Sequence, residues 1–223
     1  MELTKLLFCL FSLWIFTDCY ASVDDEKCGM TPRADIDWKK VPTFWYLSYY
    51  SPNPIFSEVV SCQASYLYKI VDEGPESYAV FHGKDYYYNG NTPEQYELSF
   101  KHAGQGPGLY YWTSANNSIV DAGSKVSSTR SYNKERTELE EMEMQIAVDV
   151  MATDYSTYLI DISCNKHTGE KQIVLVFTTN PDPTAEEFLN VRRALIDLNV
   201  TETLAATQCA SSPAIADFAK LKM

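Results

Sequence analysis

The run Thr43-Phe44-Trp45-Tyr46-Leu47-Ser48-Tyr49-Tyr50 constrains the fold more than any other stretch of the chain. It reads as the opening strand of a β-structure. Side chains alternate along a strand, so Trp45, Leu47 and Tyr49 are expected on one face and Tyr46, Ser48 and Tyr50 on the other. Cys28 lies before this strand, Cys62 after it, and a Thr153-Asp154-Tyr155 turn comes much later. The chain downstream reads as a sheet closing around Trp45.

The same alternation returns repeatedly. Residues 62–71 place Ala64, Tyr66, Tyr68 and Ile70 on one side and Gln63, Ser65, Leu67 and Lys69 on the other. Residues 78–82 read as a short strand that Gly83-Lys84-Asp85 turns back into Tyr86-Tyr87-Tyr88. Asn89-Gly90 is a strong hairpin signal, because both residues tolerate the left-handed backbone of a tight turn. Further strands are expected over 96–101, 109–113, 144–150, 158–164 and 172–178. In 144–150 the even positions are apolar while Gln145 and Asp149 are polar, so the even face is the expected core face.

Two segments depart from this rhythm. Residues 114–142 form a long hairpin or excursion, rich in Ser, Asn and Thr and then carrying glutamates at 135, 138, 140, 141 and 143. The run of glutamates is expected to be a solvated face. After Asn180-Pro181-Asp182-Pro183 a helix begins, with Thr184 and Glu187 forming a capping box. Phe188, Val191, Leu195 and Leu198 then recur at helical spacing and predict one face packed on the sheet. A second short helix is expected over 213–221. Eight or more strands in successive hairpins, followed by a helix, imply an antiparallel up-and-down barrel. Closure removes the sheet edges, and about eight strands enclose room for one small ligand.

At the N-terminus, Lys5 and the apolar run 6–16 precede Cys19-Tyr20-Ala21, so residues 1–21 read as a secretory signal and 22–223 as one extracellular domain. Four cysteines then remain: Cys28, Cys62, Cys164 and Cys209. An oxidising compartment implies two disulfides, with three connectivities open. Asn116 and Asn199 head sequons for glycosylation. No Cys/His spacing suits a structural metal. The net charge of −12 argues against nucleic acid and anionic membranes as partners. A monomer is expected.

With these features in this order, the chain resembles the lipocalins, most of all the salivary triabin and nitrophorin group of blood-feeding bugs. Trp45 in Phe44-Trp45-Tyr46 matches the family's early Trp at the closed end of the barrel. Thr153-Asp154-Tyr155 matches its turn between two strands, and the late helix and cysteine follow as in that group. The resemblance covers most of residues 28–223. Thr43 stands where the family has Gly, and Phe177-Thr178-Thr179 lacks the arginine that usually covers the Trp. The resemblance implies an eight-stranded lipocalin barrel with the C-terminal helix packed outside, and pairs Cys28 with Cys164 and Cys62 with Cys209. Each such bond contributes about 2–4 kcal/mol.

The expected site is the barrel lumen. With Trp45 inward, alternation favours Tyr66, Tyr68, Tyr78, His82, Tyr110 and Trp112 as inward neighbours. Sixteen tyrosines supply aromatic surface with hydroxyls, which suits a small amphipathic molecule such as a biogenic amine or eicosanoid. The acidic balance favours an amine paired with a carboxylate at the barrel mouth. Sequestration as a salivary anti-haemostatic factor follows from the resemblance, with no cofactor and no catalysis expected. Two alternatives stand beside it. In one, His82 ligates haem, as nitrophorins place a histidine on this strand. In the other, a triabin-like outer surface blocks a host protease.

Overall fold

The computed structural model describes residues 34–52, 55–72, 77–102, 107–114, 147–165 and 171–220. The expected signal peptide, Cys28, Asn116 and nearly all of the 114–142 excursion lie outside these residues. The strands are β1 (Phe44–Tyr50), β2 (Val60–Val71), β3 (Tyr78–Tyr87), β4 (Glu94–His102), β5 (Leu109–Ser114), β6 (Ala147–Thr153), β7 (Tyr158–Asn165), β8 (Lys171–Thr178) and a two-residue β9 (Ala205–Ala206). Helix α1 spans Ala185–Asp197 and helix α2 spans Ala214–Ala219.

All pairings are antiparallel, in the order β2-β3-β4-β5-β6-β7-β8-β1, and β1 also pairs with β2. Eight strands therefore close into a ring with no open edge among them. Short turns hold the meander together by local chemistry. Gly90 adopts φ 72° and its amide donates to the Tyr87 carbonyl at 3.2 Å. In the later turn Tyr155 adopts φ 62°, and the Asp154 carboxylate accepts the amides of Ser156, Thr157 and Tyr158 at 3.0, 2.7 and 3.1 Å. Burial works against the Asp154 charge, but these donors outweigh it and hold the carboxyl below its ordinary value.

Helix α1 begins as its capping box predicts. The Glu187 amide donates to Thr184 Oγ1 at 3.3 Å, and the Thr184 amide donates to Glu187 Oε2 at 2.6 Å. Val191, Leu195 and Leu198 are buried against Ile160, Ile162, Val174 and Val176 on the outer face of β7 and β8. Phe188 stays 44% exposed and makes an edge contact with Tyr49. Much of the apolar core is thus a sandwich between helix and barrel wall, outside the lumen.

The barrel base is closed from below by residues 34–41. Trp38, in a 3-10 turn (Trp38–Lys40), meets Phe81, Phe100 and Tyr110 at ring separations of 6.0, 6.2 and 5.5 Å. Trp45 is fully buried in the same cluster, and its indole N–H donates to the Pro42 carbonyl at 2.7 Å. Trp38 and its apolar neighbours Ile36 and Val41 pack in that cluster. At the other terminus Cys62 bonds to Cys209, with the Gln208 amide on the Ser61 carbonyl at 2.9 Å beside it. Cys164 is also disulfide-bonded; its expected partner lies outside the described residues.

Several expectations about strands need correction. Gly83-Lys84-Asp85 is no turn: β3 runs unbroken from Tyr78 to Tyr87. Gly83 faces Tyr96 on β4, and a Cβ built there would lie within the Tyr96 ring, so the glycine makes room for that ring. A bulge between Leu47 and Tyr49 reverses the alternation of β1. Trp45 and Leu47 therefore face in, Tyr49 faces α1, and Tyr50 joins the inner cluster with Val60, Tyr87 and Ile173. In β6 the buried even residue Val150 belongs to the outer sandwich under α1, while Asp149 and Met151 point into the barrel.

Candidate functional site

Cross-strand partners in an antiparallel ladder share a face, and this fixes which side chains enter the lumen. Trp45 pairs with Ser65, and Ser65 with Gly83, so Tyr66 falls on the opposite, outer face. Tyr66 pairs with His82. Four expected lumen residues, Tyr66, Tyr68, Tyr78 and His82, therefore lie on the outside of the barrel. There Tyr68, 53% exposed, stacks on His82 at 4.0 Å. The His82 nitrogens meet the Tyr66 hydroxyl at 2.9 Å and Glu97 Oε2 at 3.1 Å, and Lys101 sits 4.8 Å over the Tyr78 ring. His82 does not enter the lumen, so it is not placed to ligate a haem there.

Tyr110 is inside as expected, 2% exposed, and its hydroxyl accepts the Ile36 amide at 2.7 Å. Burial raises this phenol to about 12. It is part of the base packing. Trp112 stands across from Phe100 in the β4–β5 ladder, but its side chain lies outside the described part of the structure. The base leaves little room: a cavity of about 20 Å³ among Gln63, Ser65, Phe81, Tyr96, Met151 and Phe177. That holds about one water molecule.

What distinguishes the lumen is its buried acidic side chains. On the β3–β4 wall Asp85 pairs directly with Glu94. Asp85 Oδ1 accepts from the Gln63 amide at 3.2 Å, and that amide also donates to the Tyr96 hydroxyl. Glu94 Oε2 accepts from the Tyr87 hydroxyl at 2.8 Å, while its buried Oε1 has no hydrogen-bond partner. On the β6–β7 wall Asp149 is fully buried and Asp161 is 6% exposed. The ladder pairs Asp149 with Ser163 and Met151 with Asp161, which makes the two aspartates diagonal neighbours on the inner face. Asp161 Oδ1 has no hydrogen-bond partner. Burial pushes the Asp161 carboxyl up to about 7.

No lysine or arginine of the described residues bonds Asp161 Oδ1. The lysines are on the outside: Lys84 pairs with Asp217 at 2.6 Å, Lys171 with Glu202 at 2.7 Å, and Lys39 with Asp72 at 2.7 Å. Both described arginines, Arg192 and Arg193, sit exposed on α1. Nor do three acidic, histidine or cysteine side chains among the described residues converge as a metal site would require.

Sequence reasoning passed over Asp149 and Asp161 in favour of tyrosines. The signal was present: each is a lone carboxylate inside an apolar run, Val148-Asp149-Val150 and Ile160-Asp161-Ile162. In a strand covered on its other face by a helix, the polar position has only the lumen to enter.

No protein-family model and no curated protein sequence matches the chain. Solved structures do. Lobster apocrustacyanin A1 is similar at TM-score 0.50 and 15% identity, over 77% of this chain and 78% of that one. Apocrustacyanin C2 gives the same score and coverage at 14% identity. A major allergen of cockroaches matches at TM-score 0.50 and 13% identity, over 84% of this chain and 100% of that one. Identities this low speak for the fold alone. The protein has the lipocalin fold, an eight-stranded antiparallel barrel with a helix packed on its outer wall.

Proposed function

We propose that the protein is a secreted carrier that sequesters a small amphipathic amine in its barrel, its ammonium group set against Asp161 and Asp149. The observation that supports this most is Asp161 itself. A carboxylate removed from water without a partner is costly, and a ligand cation removes that cost. An anionic eicosanoid would add to the buried negative charge, so the acidic lumen favours the amine over the lipid acid. Secretion rests on the N-terminal apolar run and the disulfides. Within the resemblance to the triabin and nitrophorin group, such a carrier would act as a salivary anti-haemostatic factor by stoichiometric capture.

Calorimetric titration with tryptamine and with indolepropionate tests the reading, since the two differ mainly in the sign of their charge. Tryptamine is expected to bind at least tenfold more tightly, and Asp161→Asn to abolish the difference. Equal or tighter binding of the carboxylate would sink it. The nearly filled base and the exposed Phe188, Leu189 and Ile196 on α1 support a second reading, a host protein blocked through the outer surface. That reading predicts protease inhibition which Asp161→Asn leaves unchanged.

A further inference from the structure

Helix α1 packs on the barrel through one face and leaves the other bare. Val191, Ala194 and Leu195 are buried in the outer sandwich with β7 and β8. On the opposite side stand Ala185, Leu189, Arg192 and Ile196, all exposed, with Leu189 51% and Ile196 61% open to solvent. These four recur at intervals of four, three and four residues. That is the spacing of a helix–helix seam, whose side chains stay in line along a neighbouring helix. Scattered apolar residues on a surface are ordinary. This seam is set apart by the charges beside it.

Glu186 and Arg193 flank the seam on one side, seven residues apart and both exposed. Among the described residues neither has an ion-pair partner, and Arg193 reaches only Asn190 Oδ1, at 3.4 Å. A second α1 laid parallel and in register would set Glu186 on Glu186 and Arg193 on Arg193. Laid antiparallel, about a twofold axis at the level of Asn190, it sets Glu186 on the partner's Arg193, and the symmetry makes that pair twice. The same register sets Ala185 on the partner's Ile196. It also lays Leu189 against the aliphatic stem of the partner's Arg192. Seam and charges thus ask for one and the same neighbour, a copy of this helix running the other way.

We propose that the bare face of α1 is a homodimer interface, pairing antiparallel with α1 of a second copy through Leu189, Ile196 and two Glu186–Arg193 ion pairs. Because the seam lies opposite the packed face, the two barrels stand on either side of the helix pair. The interface is short, since thirteen residues of helix rise only about 20 Å. It sits at the small end for a specific contact, so the dimer is a weak one, forming at concentrations on the order of tens of micromolar. The proposal is independent of what the lumen binds.

Sedimentation velocity of the mature chain between roughly 1 and 200 µM tests it. Dimer is expected to appear within that range. Glu186→Arg and Arg193→Glu, each placing like charges together, are each expected to weaken association about tenfold or more. The two shift net charge in opposite directions, so a common loss cannot come from net charge. The double variant Glu186→Arg/Arg193→Glu restores the pairs in reverse and is expected to dimerise within about threefold of the parent. Far-UV circular dichroism checks that every variant is folded. A monomer throughout the range, which is the expectation from the sequence, would overturn the proposal. So would a dimer that either single variant leaves intact, or one that the double variant fails to restore. A monomer whose protease inhibition is lost on Leu189→Asp would assign this face to a host protein instead.

Discussion

Ile162 and Asp161 are neighbours in one strand, both buried, and they answer opposite demands. Ile162 faces outward into the sandwich that β7 and β8 make with α1, where Val174, Val176, Val191 and Leu195 surround it. Asp161 faces the lumen, where its Oδ1 has no partner. Equal burial thus stabilises the fold on one face and strains it on the other. Natural chains keep such a cost where function requires it, and for that reason the inner face of β6–β7 is read as the ligand site.

Substitutions on the two faces should differ in sign. The largest effect is expected from Ile162→Ala, which leaves a cavity in the outer sandwich and should cost about 2–5 kcal/mol in urea denaturation. Ligand affinity should not change beyond the loss of folded protein. If the variant lost binding specifically, the separation of the two faces would fail.

Asp161→Asn should move stability the other way, and only above acidic pH. The folded-state carboxyl lies near 7, above its ordinary value of 3.8. Between those values the folded protein keeps a proton that the unfolded chain has released. Stability contributed by this group is therefore complete below about 3.8 and is lost as pH rises toward 7. The asparagine variant should lack this decline and gain on the order of 1–3 kcal/mol at pH 8. Parallel pH dependence in both proteins would show that Asp161 carries no such burden.

Gly83→Ala probes the opposite wall. The added methyl must displace the Tyr96 ring and with it the contact to the Gln63 amide. A loss of about 1–3 kcal/mol is expected from overpacking, with weakened ligand binding if this wall contributes to the site. Unchanged stability would mean that the ring moves without cost. The smallest effect is expected from Tyr68→Ala, on the exposed outer stack with His82. It should change stability by no more than about 0.5 kcal/mol and leave binding as it was. A clear loss of ligand there would return the site to the tyrosines that alternation first suggested.

The corrections have a common origin. Alternation with period two says which residues share a face, but not which face is inside. In a barrel whose outer wall is partly covered by a helix and a C-terminal tail, both faces of a strand carry buried residues, so apolarity no longer marks the interior. Tyr66 sits outside because its neighbour Ser65 fits beside Trp45. The bulges after Leu47 and Leu67 further shift the phase within β1 and β2, and nothing local in either strand announces them.

The features that the sequence alone determined are those decided within a few residues: the Thr184–Glu187 capping box, the Asn89-Gly90 hairpin, the Thr153-Asp154-Tyr155 turn and the succession of strands that made a barrel the expected class. The all-β class and the helix on the outer wall followed from them. Tertiary structure alone decided which aromatics face in, that Gly83 yields space to Tyr96, and that four carboxylates from β3, β4, β6 and β7 share one interior. Those facts depend on ladder register and on what covers each wall. Register is set by contacts between residues far apart in the chain, and a local pattern cannot encode its own partner.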